Sequence, residues 1–172
     1  YNLPTQKYII GSFQKDGADW DGGFSPKYIK GPDILVEVIK NISKKHDICC
    51  LLTGPSRGYV ISYLKNNNIQ YVHYHASKDQ LSELYSSLDF YLITSRIEGG
   101  PKGLMEAMAT GIPIVSTRVG MANDIIKHGW NGMMNNIEDV DGLVLSLNRL
   151  ISDEPLKEVI IKNGLKSVKQ YS

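Results

Sequence analysis

Cysteine, surplus charge and long apolar runs are all scarce in this chain, and each shortage closes off a class of function. The two cysteines among its 172 residues, Cys49 and Cys50, stand side by side inside an apolar run. Successive strand side chains point to opposite faces, so the two are poorly placed to bridge, and packed free thiols in a reducing compartment are expected. With four scattered histidines there is no zinc-ligand spacing, nor is there a carboxylate metal motif. Nineteen basic and 18 acidic residues leave a net charge of +1. That balance supplies no broad field for nucleic acid or an anionic membrane, so any anion must be held by a local site. No apolar run approaches the roughly 20 residues of a membrane span. The chain opens Tyr1-Asn2-Leu3-Pro4, and it is expected to be a piece of a longer protein.

What is present is the composition of a globular domain, 42% hydrophobic and 22% charged, and residues 1–172 are expected to form one domain. Short apolar runs alternate with helical stripes. Lys7 to Phe13 reads as a strand. Gly31 to His46 repeats Ile34, Leu35, Val38, Ile39 and Ile42 at helical spacing behind Pro32, a favourable first-turn residue. Asp47 to Thr53 reads as a strand, a helix follows the Gly54-Pro55 break through about Lys65, and Gln70 to Tyr74 is a short strand. Ser77 to Gln80 has the form of a capping box ahead of Leu81, Leu84, Tyr85 and Leu88. Asp89 to Thr94 is a nearly continuous apolar run, as a central strand covered on both sides should be. Pro101 to Ala109 reads as a helix, Ile112 to Ser116 as a strand, Val140 to Ile151 as a helix, and a last helix starts at Asp153-Glu154-Pro155. Strict alternation predicts an α/β fold, a parallel sheet with helices on both faces. Ligands then belong in the crevice at the carboxyl ends of the strands. Residues 14 to 30, with Trp20, Phe24 and Tyr28 among Gly and Asp, read as a long loop without its own structure, either functional or an insertion.

The chemistry concentrates in Ser95-Arg96-Ile97-Glu98-Gly99-Gly100-Pro101-Lys102-Gly103-Leu104-Met105-Glu106. Gly99, Gly100 and Gly103 allow a sharp turn and close approach of a ligand. The N–H groups opening the helix, near Lys102 to Leu104, form an anion site suited to a diphosphate, with Lys102 a candidate cation beside it. Glu98 and Glu106 flank that site eight positions apart, and each carboxylate can accept both hydroxyl hydrogens of a diol. A carboxylate repels phosphate, so the two must face sugars at opposite ends of the ligand, and a nucleotide sugar has that layout.

Glu98 and Glu106 with seven residues between them, followed by Ala107-Met108-Ala109-Thr110-Gly111-Ile112-Pro113-Ile114-Val115, resemble the signature of the retaining GT-B glycosyltransferases, the glycosyl transferases group 1 family. The resemblance extends through Lys30-Gly31-Pro32-Asp33, Leu51 to Pro55 and Leu81 to Asp89. It implies a Rossmann-like carboxy-terminal, donor-binding half of a GT-B fold, with the amino-terminal acceptor domain outside this chain. It implies transfer of a hexose from a nucleotide diphosphate sugar to an acceptor hydroxyl with retention, in polysaccharide, lipopolysaccharide or glycoconjugate synthesis. The acceptor would be a carbohydrate, lipid-linked or protein hydroxyl, and neither a metal nor another cofactor is expected.

By the same resemblance, Glu98 and Lys30 are the candidate catalytic residues, Glu98 holding hydroxyls of the transferred sugar and Lys30 contacting the diphosphate. Glu106 would hold the ribose diol, the backbone from Gly99 through Pro101 to Leu104 the phosphate, and Tyr74 and His75 would lie beside the base. A cytoplasmic address is expected, with any hold on the inner face of a membrane coming from the remainder of the protein. One feature departs from the family pattern. Its members usually carry an arginine shortly before the lysine, whereas the first arginine here is Arg57, leaving Lys15 or Lys27 as substitutes without arginine's bidentate fork. A non-catalytic nucleotide-sugar-sensing module and a nucleotide-sugar epimerase on the same scaffold remain alternatives.

Overall fold

A computed structural model describes residues 2–19, 22–100 and 102–171, with Lys78 described in its backbone alone. Six strands form one parallel sheet: β1 (Tyr8–Phe13), β2 (Ile48–Thr53), β3 (Tyr71–Tyr74), β4 (Phe90–Ile93), β5 (Ile114–Thr117) and β6 (Met133–Asn135). Their order across the sheet is β3-β2-β1-β4-β5-β6. The helices are α1 (Pro32–Ser43), α2 (Gly58–Asn66), α3 (Lys78–Ser86), α4 (Lys102–Ala109), α5 (Ala122–Ile125), α6 (Val140–Ser152) and α7 (Glu154–Val168).

Each strand is apolar on both sides because helices cover both sides. In β2, Cys50 and Leu52 enter a core with Ile34, Leu35, Val38, Ile39 and Ile42 of α1 and Leu143, Leu147 and Leu150 of α6. Cys49 and Leu51 point the other way, toward Leu84 and Tyr85 of α3 and Leu104, Ala107 and Met108 of α4. The five-residue stripe on α1 is almost wholly out of water. At about 1.5–3 kcal/mol for each such side chain, it is the main reason this helix holds to the sheet. Helix α7 contacts both α6 and α4, with Ile160 in the first core and Val168 against the second. The two cysteines are free, buried and on opposite faces, and burial pushes both thiols up from their ordinary value.

The strand order reverses between β1 and β4: the chain leaves β1 toward β2 on one side, while β4 pairs with β1 on the other through Ile10↔Phe90 and Gly11↔Tyr91. Above that point the carboxyl ends of the two strands diverge and leave a crevice.

The stretch after β1 is more structured than its composition suggests. Gly17 pairs with Pro26 in an antiparallel bridge, and the Asp19 carboxylate accepts the N–H groups of Gly23 and Ser25 at 2.7 and 3.1 Å. The carbonyls of Gly22 and Gly23 accept the N–H groups of Gly58 and Tyr59, the first two residues of α2, at 2.7 and 2.8 Å. Underneath, Arg57 and Asp16 form a fully buried ion pair, Nε to Oδ1 3.0 Å, bent off the hydrogen-bonding axis. Arg57 spends its other donors on the carbonyls of Ser12, Thr53 and Gln14 at 2.6, 2.9 and 3.1 Å. The loop is therefore fastened to the sheet and to α2. Trp20 lies outside the described residues.

Candidate functional site

Lys30 ends a single 3-10 turn, Tyr28–Lys30, and Gly31 behind it takes the left-handed conformation (φ 62°, ψ 40°) that lets Pro32 open α1. A Cβ at Gly31 would run into the Thr94 carbonyl oxygen, and the Thr94 hydroxyl donates to the Gly31 carbonyl at 2.9 Å. The N–H groups of Arg96 and Ile97 both donate to the Ile29 carbonyl, at 2.9 and 3.1 Å. The segments following β1 and β4 are thus laced together, which fixes Lys30 against Glu98. Lys30 Nζ donates to Glu98 Oε1 at 2.5 Å, and the Ser95 hydroxyl donates to the same oxygen at 3.0 Å.

Arg96 braces this arrangement from outside. Its guanidinium donates to both Asp33 carboxylate oxygens at 2.8 and 2.7 Å, to the Tyr28 carbonyl at 2.6 Å, and to the Glu138 carboxylate. Burial alone would raise the Asp33 carboxyl, but the Arg96 bonds outweigh it and hold the group below its usual value of 3.8. Gly120 (φ 43°) supports the other side: a side chain there would strike the Glu98 carbonyl. Met121 N–H adds a bond to the Gly99 carbonyl at 3.3 Å.

Two crevices open beside the start of α4. The first, about 380 Å³, sits over the β1–β4 switch point, and Lys15, Lys27, Lys30, Lys102 and Glu98 reach its wall. Four cations against one carboxylate suit a polyanion such as a diphosphate. The second, about 520 Å³, lies between α3 and α4 and is lined by Tyr85, Lys102 and Glu106 with Leu81, Ser82 and Thr110. Lys102 borders both. The carboxylates eight positions apart therefore occupy separate, adjoining crevices with a lysine between them. Among the described residues no group of three or more His, Cys, Asp or Glu side chains is placed to hold a metal ion.

Gly100 and Gly103 border the first crevice, whereas the Leu104 side chain is wholly buried, so a ligand could meet that residue only through its backbone. The chain bends at Gly99, but none of Gly99, Gly100 and Gly103 adopts a positive φ, so what these glycines contribute here is space. Among the described residues nothing beyond its chain neighbours stands within 4 Å of a Cβ at Gly99, the Met121 sulfur is 3.0 Å from one at Gly100, and a Cβ at Gly103 would collide with the Tyr91 hydroxyl. Pro101 lies outside the described residues. Tyr74 and His75 sit at the end of β3, Tyr74 against the second core and His75 exposed 4.8 Å from the His73 ring, and neither lines either crevice. Arg57, the first arginine, is buried under the loop after β1 and does not reach the crevice, whereas Lys15 and Lys27 do. Sequence reasoning named Ser95, Arg96 and Tyr85 but gave none of them a role at the site. Tyr85 carried a usable signal, because a tyrosine on a buried helical face needs a partner for its hydroxyl.

Two uncharacterized glycosyltransferases of Methanocaldococcus jannaschii are 29% and 32% identical to this chain over 155 residues each, 88% and 84% of it. The chain spans 42% and 39% of those relatives' own length. Among solved structures, the C-terminal domain of a glycosyl transferase group 1 family protein, LpcC, from Francisella tularensis superposes with a TM-score of 0.77 at 22% identity, covering 95% of this chain and 85% of that one. HepE of Anabaena in complex with UDP-glucose superposes with a TM-score of 0.77 at 20% identity, covering 95% of this chain and 44% of that one. At these identities the structures establish the fold, the Rossmann-like α/β half of a GT-B glycosyltransferase. The family itself is given by the sequence: the pattern described as glycosyl transferases group 1 matches residues 24–167, and the chain belongs to that family.

Proposed function

We propose that this chain is the carboxy-terminal, donor-binding domain of a retaining glycosyltransferase that moves a hexose from a nucleotide diphosphate sugar to an acceptor hydroxyl. The observation that carries the reading is the division of Glu98 and Glu106 between two adjoining crevices, with Lys102 at their boundary and four lysines around the first. A diphosphate among the lysines puts the transferred sugar toward Glu98 and the ribose toward Glu106. HepE, similar in fold, holds UDP-glucose, which supports a uridine donor among the candidates.

In the reaction the bond from the anomeric carbon to the diphosphate breaks and its electron pair leaves on the phosphate oxygen. The acceptor oxygen bonds the anomeric carbon on the face the diphosphate leaves, and its proton passes to the departing phosphate oxygen. Lys30, with Lys15 or Lys27 in place of an arginine, stabilises the charge gathering on the leaving group, a role open to fixed cations without a metal or other cofactor. Lys30 and Ser95 both bond Glu98 Oε1, so the sugar hydroxyls fall to Glu98 Oε2. The acceptor, a carbohydrate, lipid-linked or protein hydroxyl of polysaccharide, lipopolysaccharide or glycoconjugate synthesis, is bound by an amino-terminal domain beyond this chain. The domain alone binds donor weakly and transfers nothing. Among the described residues no helix is long and apolar enough to cross a membrane. We place the enzyme in the cytoplasm, where any contact with the inner face of a membrane would come through the other half.

The test is calorimetric titration with UDP, GDP and ADP of the chain and of Glu106→Ala. Saturable binding of one nucleotide, weakened about tenfold or more by losing a charged hydrogen bond, is the expected result. A folded chain that binds none of the three would sink the donor-site reading.

A further inference from the structure

We propose that Tyr85 is a positioning residue that makes the donor site select ribose, by holding the Glu106 carboxylate in one orientation. The proposal rests on the donor-site reading above and adds to it a residue outside the glycine-rich segment.

The Tyr85 hydroxyl donates to Glu106 Oε2 at 2.9 Å. Among the described residues the other carboxylate oxygen, Oε1, receives no hydrogen bond, and the Glu106 side chain borders the 520 Å³ crevice between α3 and α4. Glutamate has three rotatable bonds, and one in an open crevice would ordinarily sample several orientations. The donor that restrains it cannot move. Tyr85 is 1% exposed, with its ring 4.7 Å from that of Phe13 and 5.2 Å, edge-on, from that of Tyr91. A Cβ at Gly103 would lie 3.0 Å from the Tyr85 hydroxyl and would overlap the Tyr91 hydroxyl, so the first turn of α4 sits directly over both phenols. Gly103 is thereby explained: its missing side chain makes room for the two hydroxyls. Burial pushes the Tyr85 hydroxyl well above its ordinary value, which keeps it a neutral donor.

The consequence concerns what Glu106 can discriminate. A carboxylate with one oxygen fixed by a neutral donor presents the second along a set direction, ready for the hydroxyls of a diol. If the ligand lacks those hydroxyls, the second oxygen is left facing the sugar without a partner, and the ligand is penalised. If the tyrosine hydroxyl is removed, the carboxylate is free to turn toward solvent. A sugar without the diol is then tolerated, and one with the diol must order the carboxylate on binding. Selectivity between ribose and dideoxyribose is accordingly a property of the Tyr85–Glu106 pair, whereas hydrophobic packing of the Tyr85 ring is not.

The experiment titrates the nucleoside diphosphate that binds best, and its 2′,3′-dideoxy counterpart, into wild type, Tyr85→Phe, Glu106→Gln and the double variant. Melting curves confirm that each is folded. Expected is a preference of about tenfold or more for the ribonucleotide in wild type. In Tyr85→Phe that ratio falls most of the way to one, through weaker ribonucleotide binding and tighter dideoxy binding. The double variant should match Glu106→Gln, because the two residues act as one unit. Tyr85→Phe weakening both ligands equally, or neither, would mean that Tyr85 only packs, and would overturn this proposal while leaving the donor site standing. If folded wild type binds no nucleotide, the donor-site reading falls and this inference with it.

Discussion

Lys30 and Glu98 hold each other, each side chain roughly one-fifth exposed and joined at 2.5 Å. Both are wanted by a donor, one by its diphosphate and the other by its sugar, so the ion pair competes with the diphosphate for the lysine's charge. Replacing Glu98 with glutamine frees the lysine. Glu98→Gln is expected to bind nucleoside diphosphate about two- to tenfold more tightly, the scale of a modest ion pair. The nucleotide sugar should bind no better than the nucleotide. Calorimetry with both ligands checks this, and equal weakening of the two would mean that the pair only maintains the loop. Ser95 matters at the same place, since its hydroxyl bonds the same Glu98 oxygen as Lys30 and would keep one hydrogen bond on the carboxylate as the lysine departs.

Among the elements, the segment between β1 and α1 departs furthest from expectation. A run of glycine and aspartate reads as structureless because its partners are distant in sequence: the carbonyls of Gly22 and Gly23 meet the first N–H groups of α2, and Asp16 meets Arg57 of the turn before α2. A buried ion pair adds little over an apolar pair, yet removing one member leaves the other charged and dry, at about 3–5 kcal/mol. Asp16→Ala and Arg57→Ala are each expected to lower the unfolding free energy, read from urea titrations, by an amount in that range. The double variant should be less destabilised than the sum of the singles. The loss should also reach ligand binding, because Lys27 N–H donates to the Asp16 carbonyl at 2.7 Å, and Lys15 and Lys27 border the crevice from this loop. Strictly additive effects would show that the two residues are not coupled as the geometry requires.

Across the whole molecule, Arg96 connects three places remote in sequence: Asp33 in the first turn of α1, the carbonyl of Tyr28, and Glu138 ahead of α6. This brace has a pH signature. The Asp33 carboxyl is lower in the folded chain than its ordinary 3.8. It therefore contributes stability above that value, which is lost as pH falls through the folded value. Thermal melts taken downward from neutral pH should show wild type losing stability faster below 3.8 than Asp33→Asn, which starts less stable and changes less. Parallel curves for the two proteins would remove Asp33 from the account. Asp19, also held low by its backbone hydrogen bonds against some loss of water, titrates in the same direction, but it is present in both proteins and cancels in the comparison.

Most strands and helices were legible along the chain because burial on both faces leaves a plain trace. Ile48 to Thr53 and Phe90 to Ile93 are apolar without alternation, and the α1 stripe recurs at helical spacing. The parallel α/β class followed from that rhythm. The glycine-rich segment and its two glutamates could be read as a candidate site chiefly through their resemblance to the family signature, since such a turn ahead of a helix is common by itself. The four-residue α5 and three-residue β6 were not, being too short to show a period. Nor could spacing reveal that Glu98 would be bonded to Lys30 across 68 positions, that Arg57 would be buried away from the crevice, or that Gly103 makes room for tyrosine hydroxyls from α3 and β4. Those are meetings between segments far apart in the chain, and they exist only once the sheet order has brought the ends of β1 and β4 together. Periodicity and turn residues act locally and can be read in a single strand of text, whereas the partner of a buried polar group is chosen by whichever distant atom packing delivers to it.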